Sequence, residues 1–355
     1  MLLFTACLSL FNFRPVLKPV VISPLGIDAS KGKIWSNNGR RTVTIIMVGE
    51  TARAMNFSLN GYSRQTNPLL SVQSGLINFR QVQSCGTATA VSVPCVFSAL
   101  GRRHYSETKG KSQEGLLDVL KHAAIDVYWL DNNSGCKGVC DRVQYTDLSL
   151  PTASDPLCNA EDCYDEKLLR DLPQLIKNAT KDMVIVLHQK GSHGPSYWKR
   201  YPQRFAKFGP VCKTNELANC SVESITAAYD NSILYTDFII SKAIGILENS
   251  NTLDGVDTAL LYFSDHGESL GEKNMYLHGA PYFISPPEQR HVPFMIWLSK
   301  SFQMRFRIDE RCLAARAEQE FSHDNVFHSV LGMLAINTVV YNPELDIFNT
   351  CKNAQ

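Results

Sequence analysis

The chain has 355 residues, with Lys+Arg 35 against Asp+Glu 34, so its formal net charge of +1 gives no field that selects for nucleic acid. Apolar residues make up 44% and charged residues 19%, which excludes a disordered chain and supports a large buried core. Eleven cysteines are too many for a typical cytosolic chain and point to an oxidising compartment.

Residues 1–13 (MLLFTACLSLFNF) are apolar and uncharged. They are shorter than the roughly 20 residues of a spanning helix. They also lack the basic start and small-residue cleavage site of a signal peptide. They read as the remnant of a transmembrane helix, or as a surface-packed N-terminal segment. Residues 14–40 carry Pro15, Pro19, Pro24, Gly26, Gly32 and Gly39 among polar residues and read as a linker, leaving 41–355 as the folded domain. Strands are predicted at Thr42–Val48, Asp126–Leu130, Met183–Leu187, Thr258–Phe263 and Val292–Leu298. Between and after them, helical spacing covers Thr89–Leu100, Gly115–His122, Glu166–Ile176, Glu223–Glu248 and Asn325–Ile336. Near-continuous apolar strands suit a parallel sheet covered on both faces. Strands alternating with helices indicate a doubly wound α/β fold, mostly parallel. In such sheets ligands gather beyond the carboxyl ends of the strands.

Four segments place reactive side chains at those ends. Glu50 follows Gly49 at the end of the first strand; it reads as a catalytic carboxylate or as a helix-start Glu favoured by the dipole. The run Ser84–Cys95 leads small hydroxyl residues into a helix. A Thr there is an N-cap, or a nucleophile whose alkoxide and incoming phosphate are favoured by free helix amides. Asp265 and His266, just past the Thr258–Phe263 strand, can turn a carboxylate and an imidazole to one metal ion. His188 lies at a strand end, and His193 and His278 sit beside glycines in nearby loops, where they suit a phosphate or a second metal. His104, His122, His291, His323 and His328 read as structural. Two carboxylates, one imidazole and one Thr oxygen make a four-ligand zinc site. Zinc would lower the hydroxyl pKa and stabilise phosphoryl oxygens. Lys137 or protonated histidines would offset the negative charge that remains.

The segments Val48–Ala54, Asn60–Arg64, Ser84–Thr89, Asp131–Cys140, Gly191–Pro195, Ser264–Ser269 and Leu277–Gly279 resemble the phosphoethanolamine transferases that modify lipid A. These include the mobile colistin-resistance enzymes of the alkaline phosphatase/sulfatase superfamily. The resemblance runs over roughly 40–345, with the motifs in family order, and implies that superfamily's fold. It implies Glu50, Thr89, Asp265 and His266 as zinc ligands, with Thr89 the nucleophile that carries phosphoethanolamine. Thr87, Asn133, Ser134, Lys137, His193 and His278 would surround the phosphate, and His193 and His278 could hold a second zinc. The implied donor is phosphatidylethanolamine and the implied acceptor a lipid A phosphate. The implied location is the periplasmic face of the inner membrane, as a monomer meeting the membrane surface. In the intact family this chemistry confers polymyxin and colistin resistance. The family also has an N-terminal membrane domain of several helices, of which residues 1–13 would be what is left.

Alternatives are a phosphoesterase of the same superfamily with water as acceptor, or an inactive truncated remnant. The sulfatase pattern Cys/Ser-x-Pro-x-Arg is absent, since Ala90-Val91-Ser92-Val93 follow Thr89. The close pairs Cys85/Cys95, Cys136/Cys140, Cys158/Cys163 and Cys212/Cys220 read as short-loop disulfides, with half a zinc knuckle as the other reading of Cys136/Cys140. A Cys312/Cys351 pairing stays open, as does the state of Cys7.

Overall fold

The computed structural model describes residues 21–36, 39–152, 154–159 and 161–352. The apolar stretch 1–13 lies outside the described residues. Seven strands form the central sheet: β1 (Thr42–Gly49), β2 (Leu76–Phe79), β3 (Asp126–Asp131), β4 (Gln144–Asp147), β5 (Met183–His188), β6 (Asp257–Ser264) and β7 (Phe294–Leu298). Their spatial order is β2-β7-β6-β1-β5-β3-β4. All pairings are parallel except those of β7, which runs antiparallel to both β6 and β2.

Every residue of β1, β5 and β6 is buried, because both faces of the sheet are covered. On one face Ile46, Val48, Val186, Leu261 and Phe263 pack with α1 (Thr89–Val96), α2 (Leu116–His122) and the helix Asp324–Met333. On the other, Val43, Ile45, Met47, Ile185, Leu187 and Tyr262 pack with α3 (Leu172–Asn178) and the 32-residue α4 (Val222–Leu253). The Asp324–Met333 helix is α5 below. Alternate residues of one strand thus feed opposite cores, as the period of two requires. This is the doubly wound, mostly parallel sheet that the apolar runs imply.

Three expectations change. The Val292–Leu298 run forms a strand, Phe294–Leu298, but an antiparallel one. After Ser264 the chain stays at one end of the sheet, in the hairpin Ser269–Leu270/Tyr276–Leu277 and the short helix Pro287–Arg290, and then turns back. Without a crossover helix the next strand must run the other way. The Glu166–Ile176 helix is two pieces, Lys167–Arg170 and Leu172–Asn178. Pro173 cannot donate to an upstream carbonyl, so the break falls just before it. The edge strands β2 and β4 are absent from the apolar pattern because they are short, β2 being buried on alternate residues only and β4 exposed throughout.

Within the stretch read as linker, residues 21–36 lie on the domain. Ser30–Lys31 pairs with Ile336–Asn337, and buried Trp35 donates its indole N–H to the Leu334 carbonyl at 2.6 Å. Among the described residues no helix is long and apolar enough to cross a membrane. Among the described residues five disulfides are present: Cys85–Cys95, Cys136–Cys140, Cys158–Cys163, Cys212–Cys220 and Cys312–Cys351. The Cys136/Cys140 thiols are therefore taken up by each other and do not form a knuckle.

Candidate active site

Strand register assembles the site. Gly49 pairs with Ser264, Val48 with His188, and His188 with Asp131. The residues just beyond, Glu50, Asp265 and the Asn132–Asn133 turn, therefore leave the sheet side by side at its carboxyl edge. Helix α1 brings Thr89 to them from its first turn, where the leading amides have no intrahelical partner.

The Thr89 hydroxyl lies 3.1 and 3.0 Å from the two Glu50 carboxylate oxygens and 3.3 Å from His266 Nε2. His266 Nε2 is 3.4 Å from both Glu50 Oε1 and Asp265 Oδ2. All four side chains are buried. His266 Nδ1 is 2.9 Å from the Gly267 carbonyl, to which it donates, leaving the Nε2 lone pair facing the cluster. Asp265 Oδ1 accepts the Thr51 and His266 amides at 3.2 and 2.8 Å, whereas buried Asp265 Oδ2 has no hydrogen-bond partner among the described residues. Burial, and then the Asp265 carboxylate, push Glu50 above its ordinary pKa. Burial raises Asp265 to about 6 and lowers His266.

A buried carboxylate oxygen without a donor costs free energy unless a cation meets it. The oxygen, carboxylate and imidazole donors of Glu50, Thr89, Asp265 and His266 fit a divalent ion such as zinc, and the ligand atoms of Glu50, Asp265 and His266 lie within 4.8 Å of one another. Such an ion would reverse the two carboxyl shifts by favouring the charged carboxylates, and would favour neutral His266 just as burial does.

The surrounding side chains fall into two groups. Asn133 donates to Glu50 Oε2 at 2.6 Å and to the Gln189 carbonyl at 2.8 Å. It is braced by His188, whose Nε2 is 3.3 Å away and whose Nδ1 bonds buried Asp131 at 2.9 Å. Burial pushes Asp131 up, but the His188 bond and charge and the Trp129 indole outweigh it and hold the carboxyl low. Asn133 thus acts on Glu50. Gly191 closes the other side: its φ is +52°, and a Cβ there would stand 2.6 Å from the Glu50 backbone oxygen. Buried Asp165 accepts the Lys190 and Gly191 amides at 2.8 and 3.0 Å and fixes that approach.

The second group lines the rim. The His278 ring centroid is 4.4 Å from that of His266 and 5.6 Å from that of His193. His278 Nδ1 bonds buried Glu268 at 2.9 Å; although burial pulls the imidazolium down, Glu268 raises it to about 9. His193, desolvated and beside His278, falls to about 4. Thr87 donates to the Ala280 carbonyl at 2.6 Å. Ser134 is exposed, and Lys137 Nζ donates to its carbonyl and its hydroxyl at 2.7 Å each. Lys137 makes no ion pair among the described residues, and it borders a cavity of about 510 Å³ that runs along α1 past Ala90, Pro94 and Phe97.

Glu268 and Asp131, which hold His278 and His188, are side chains of the cluster that residue-by-residue reading passes over. Asp131 stands at a strand end, the signal that found Glu50 and Asp265. Glu268 lies inside the Ser264–Ser269 motif, but its partner His278 is set only by the hairpin between them.

The sulfatase family pattern matches residues 42–336. The chain is 47% identical over 329 residues to phosphoethanolamine transferase EptA of Escherichia coli K12, covering 92% of this chain and 59% of that protein. It is 46% identical over 265 residues to phosphatidylethanolamine transferase Mcr-1 of Escherichia coli, covering 73% of this chain and 48% of that protein. It therefore spans about three fifths or less of the length of these curated relatives. The soluble domain of lipooligosaccharide phosphoethanolamine transferase A from Neisseria meningitidis superposes with a TM-score of 0.89 at 42% identity, over 95% of this chain and 100% of that one.

Proposed function

We propose, for a chain that belongs to the sulfatase family, that it transfers phosphoethanolamine from phosphatidylethanolamine to a lipid A phosphate through a covalent Thr89 intermediate. The observation that carries this reading is the buried hydroxyl of Thr89 held against Glu50 and His266, beside an Asp265 oxygen that lacks a partner. The similarity to EptA and Mcr-1 supplies the substrate class.

Glu50, Thr89, Asp265 and His266 would hold a zinc ion. When bound, zinc acidifies the hydroxyl and withdraws charge from phosphoryl oxygens. Thr89 Oγ attacks the donor phosphorus, and the bond from phosphorus to the glycerol oxygen breaks. The hydroxyl proton is directed at the Glu50 carboxylate. His278, kept protonated by Glu268, donates a proton to the departing diacylglycerol oxygen. Lys137, His193 and Thr87 border the place where the phosphoryl oxygens and ethanolamine lie. A lipid A phosphate oxygen then attacks the phosphorus and its proton passes to His278, the Thr89 Oγ–P bond breaks, and Thr89 takes back its proton from Glu50. The two displacements share one site, so the kinetics are ping-pong. A second zinc on His193 and a neutral His278 would take the place of the protonated His278 at the leaving oxygen; a periplasmic location and monomeric action at the inner membrane surface belong to the same proposal. So does polymyxin and colistin resistance in cells that carry the whole enzyme.

The test is diacylglycerol release from phosphatidylethanolamine with and without lipid A. The reading expects one burst per chain without acceptor, and steady release with modified lipid A when acceptor is added. Steady release without acceptor would instead establish a water-using phosphoesterase. No release by zinc-loaded protein would contradict both.

A further inference from the structure

We propose that the turn Pro281–Ser285, with Arg102 and Arg290 beside it and exposed Arg103 next to Arg102 in the chain, is the face by which this chain meets the headgroup layer of a phospholipid bilayer. The inference rests on the reading above that the substrates are lipids. Phe283 is 86% exposed and Ile284 64%, two consecutive large apolar side chains in water. They are not exposed through looseness. The Ile284 and Ser285 amides donate to the Pro281 carbonyl at 3.0 and 2.9 Å, Ser285 is buried, and its hydroxyl donates to the Tyr282 carbonyl at 2.8 Å. The fold therefore holds Phe283 and Ile284 outward.

The base of this turn is fastened to the site. The Gly279 amide donates to the Thr87 carbonyl at 2.8 Å, Thr87 donates back to Ala280, and the Ala280 amide meets Gln289 Oε1 at 3.1 Å. The tip thus stands at a fixed place relative to Thr89, two residues beyond Thr87. Val91, 47% exposed in the first turn of α1, adds a third outward apolar side chain.

Charge and aromatic placement argue for a lipid interface. Tyr282 is anchored through its hydroxyl to the Ser84 carbonyl at 3.0 Å, and its ring lies under the Arg102 and Arg290 guanidinium groups at 4.2 and 5.4 Å. Arg102, Arg103 and Arg290 make no ion pair among the described residues, although the Arg102 amide meets Asp324 at 2.7 Å. Apolar side chains that dip below the headgroups, an amphipathic ring beside them and unpaired cations at phosphate level suit a bilayer surface. A stable protein partner would need about 800 Å² of complementary surface, far more than two side chains offer. The chain's net charge of +1 means that this local cluster, rather than a global field, sets the preference for anionic lipid.

The test uses the chain as given and phosphatidylethanolamine vesicles with or without phosphatidylglycerol. Phe283→Ser/Ile284→Ser should weaken co-sedimentation about tenfold relative to the parent chain, which carries the same N-terminal segment. Arg102→Gln/Arg103→Gln should remove the preference for phosphatidylglycerol. Phe283→Trp, which keeps the apolar bulk, should gain fluorescence that brominated acyl chains quench beyond the parent level. Unchanged sedimentation of the Ser double variant, or emission from the introduced indole that the brominated lipid leaves alone, would overturn the proposal, and the tip would then belong to a protein contact. Turnover of a water-soluble phosphoethanolamine donor analogue should match the parent in these variants. Absence of that turnover in the parent itself would overturn the function above while the vesicle comparison still decides the surface.

Discussion

Thr89 presents its hydroxyl to both Glu50 oxygens, so Thr89→Ala removes the attacking atom and one oxygen donor of the cluster together. Transfer should fall of the order of 10³-fold or more, while circular dichroism stays that of the parent. Near-parental turnover by Thr89→Ala would contradict the assignment. Asn133 acts at one remove. Asn133→Ala leaves Glu50 Oε2 without its 2.6 Å donor, and should lower zinc affinity roughly 10- to 100-fold, as loss of a group that orients a metal ligand does. Equilibrium dialysis reads this independently of turnover; unchanged affinity would show that Glu50 needs no such brace. Glu50, Thr89, Asp265 and His266 are legible one residue at a time because each follows a strand end or opens a helix. The bracing of Asn133 by His188, and of His188 by Asp131, joins residues 55 and 57 apart and exists only once β3 and β5 are paired.

The loop after β5 is shaped by contact with Glu50. Gly191→Ala places a Cβ 2.6 Å from the Glu50 backbone oxygen at a φ of +52°, so either the loop or Glu50 must move. The variant should lose zinc affinity and thermal stability together; parental values for both would show that the approach is not tight. Helix α5 carries a pH dependence remote from the site. Burial depresses His328 to about 4, and its Nδ1 accepts the Asn342 amide at 3.1 Å. Its folded pKa lies below the unfolded value near 6.5, so its stabilising contribution is complete above that value and is lost as pH falls toward 4. Between pH 7 and 5 the parent should lose more stability than His328→Gln, measured by denaturant unfolding at both pH values. Parallel losses would refute the assignment to His328. Of the five strands, β3 is buried on alternate residues only; the other four, β1, β5, β6 and β7, are readable because burial on both faces leaves a continuous apolar run, whatever direction the strand takes. That is also why the direction of β7 was not readable: Phe294–Leu298 looks the same parallel or antiparallel, and only the return path after Ser264 decides it.

Five bridges use ten of the eleven cysteines and leave Cys7. They close loops around the domain, from the 4-residue separation of Cys136–Cys140 to the 39 of Cys312–Cys351; in the chain-entropy account the four short ones contribute about 2–3 kcal/mol each and Cys312–Cys351 about 4. Denatured, unreduced protein from an oxidising compartment should show one reactive thiol at most; several would contradict the bridges. The short pairs could be read from spacing, whereas Cys312 and Cys351 meet only because the chain's last turn folds back onto the helix that carries Cys312. The central claim is that this assembled edge of the sheet carries phosphoethanolamine on one hydroxyl. The most direct measurement is peptide mass mapping after incubation of the zinc-loaded chain with phosphatidylethanolamine and no acceptor. The account predicts a phosphoethanolamine adduct on Thr89, absent from Thr89→Ala and discharged when lipid A is added. An unmodified Thr89 in protein that is releasing diacylglycerol, or an adduct on another residue, would contradict it.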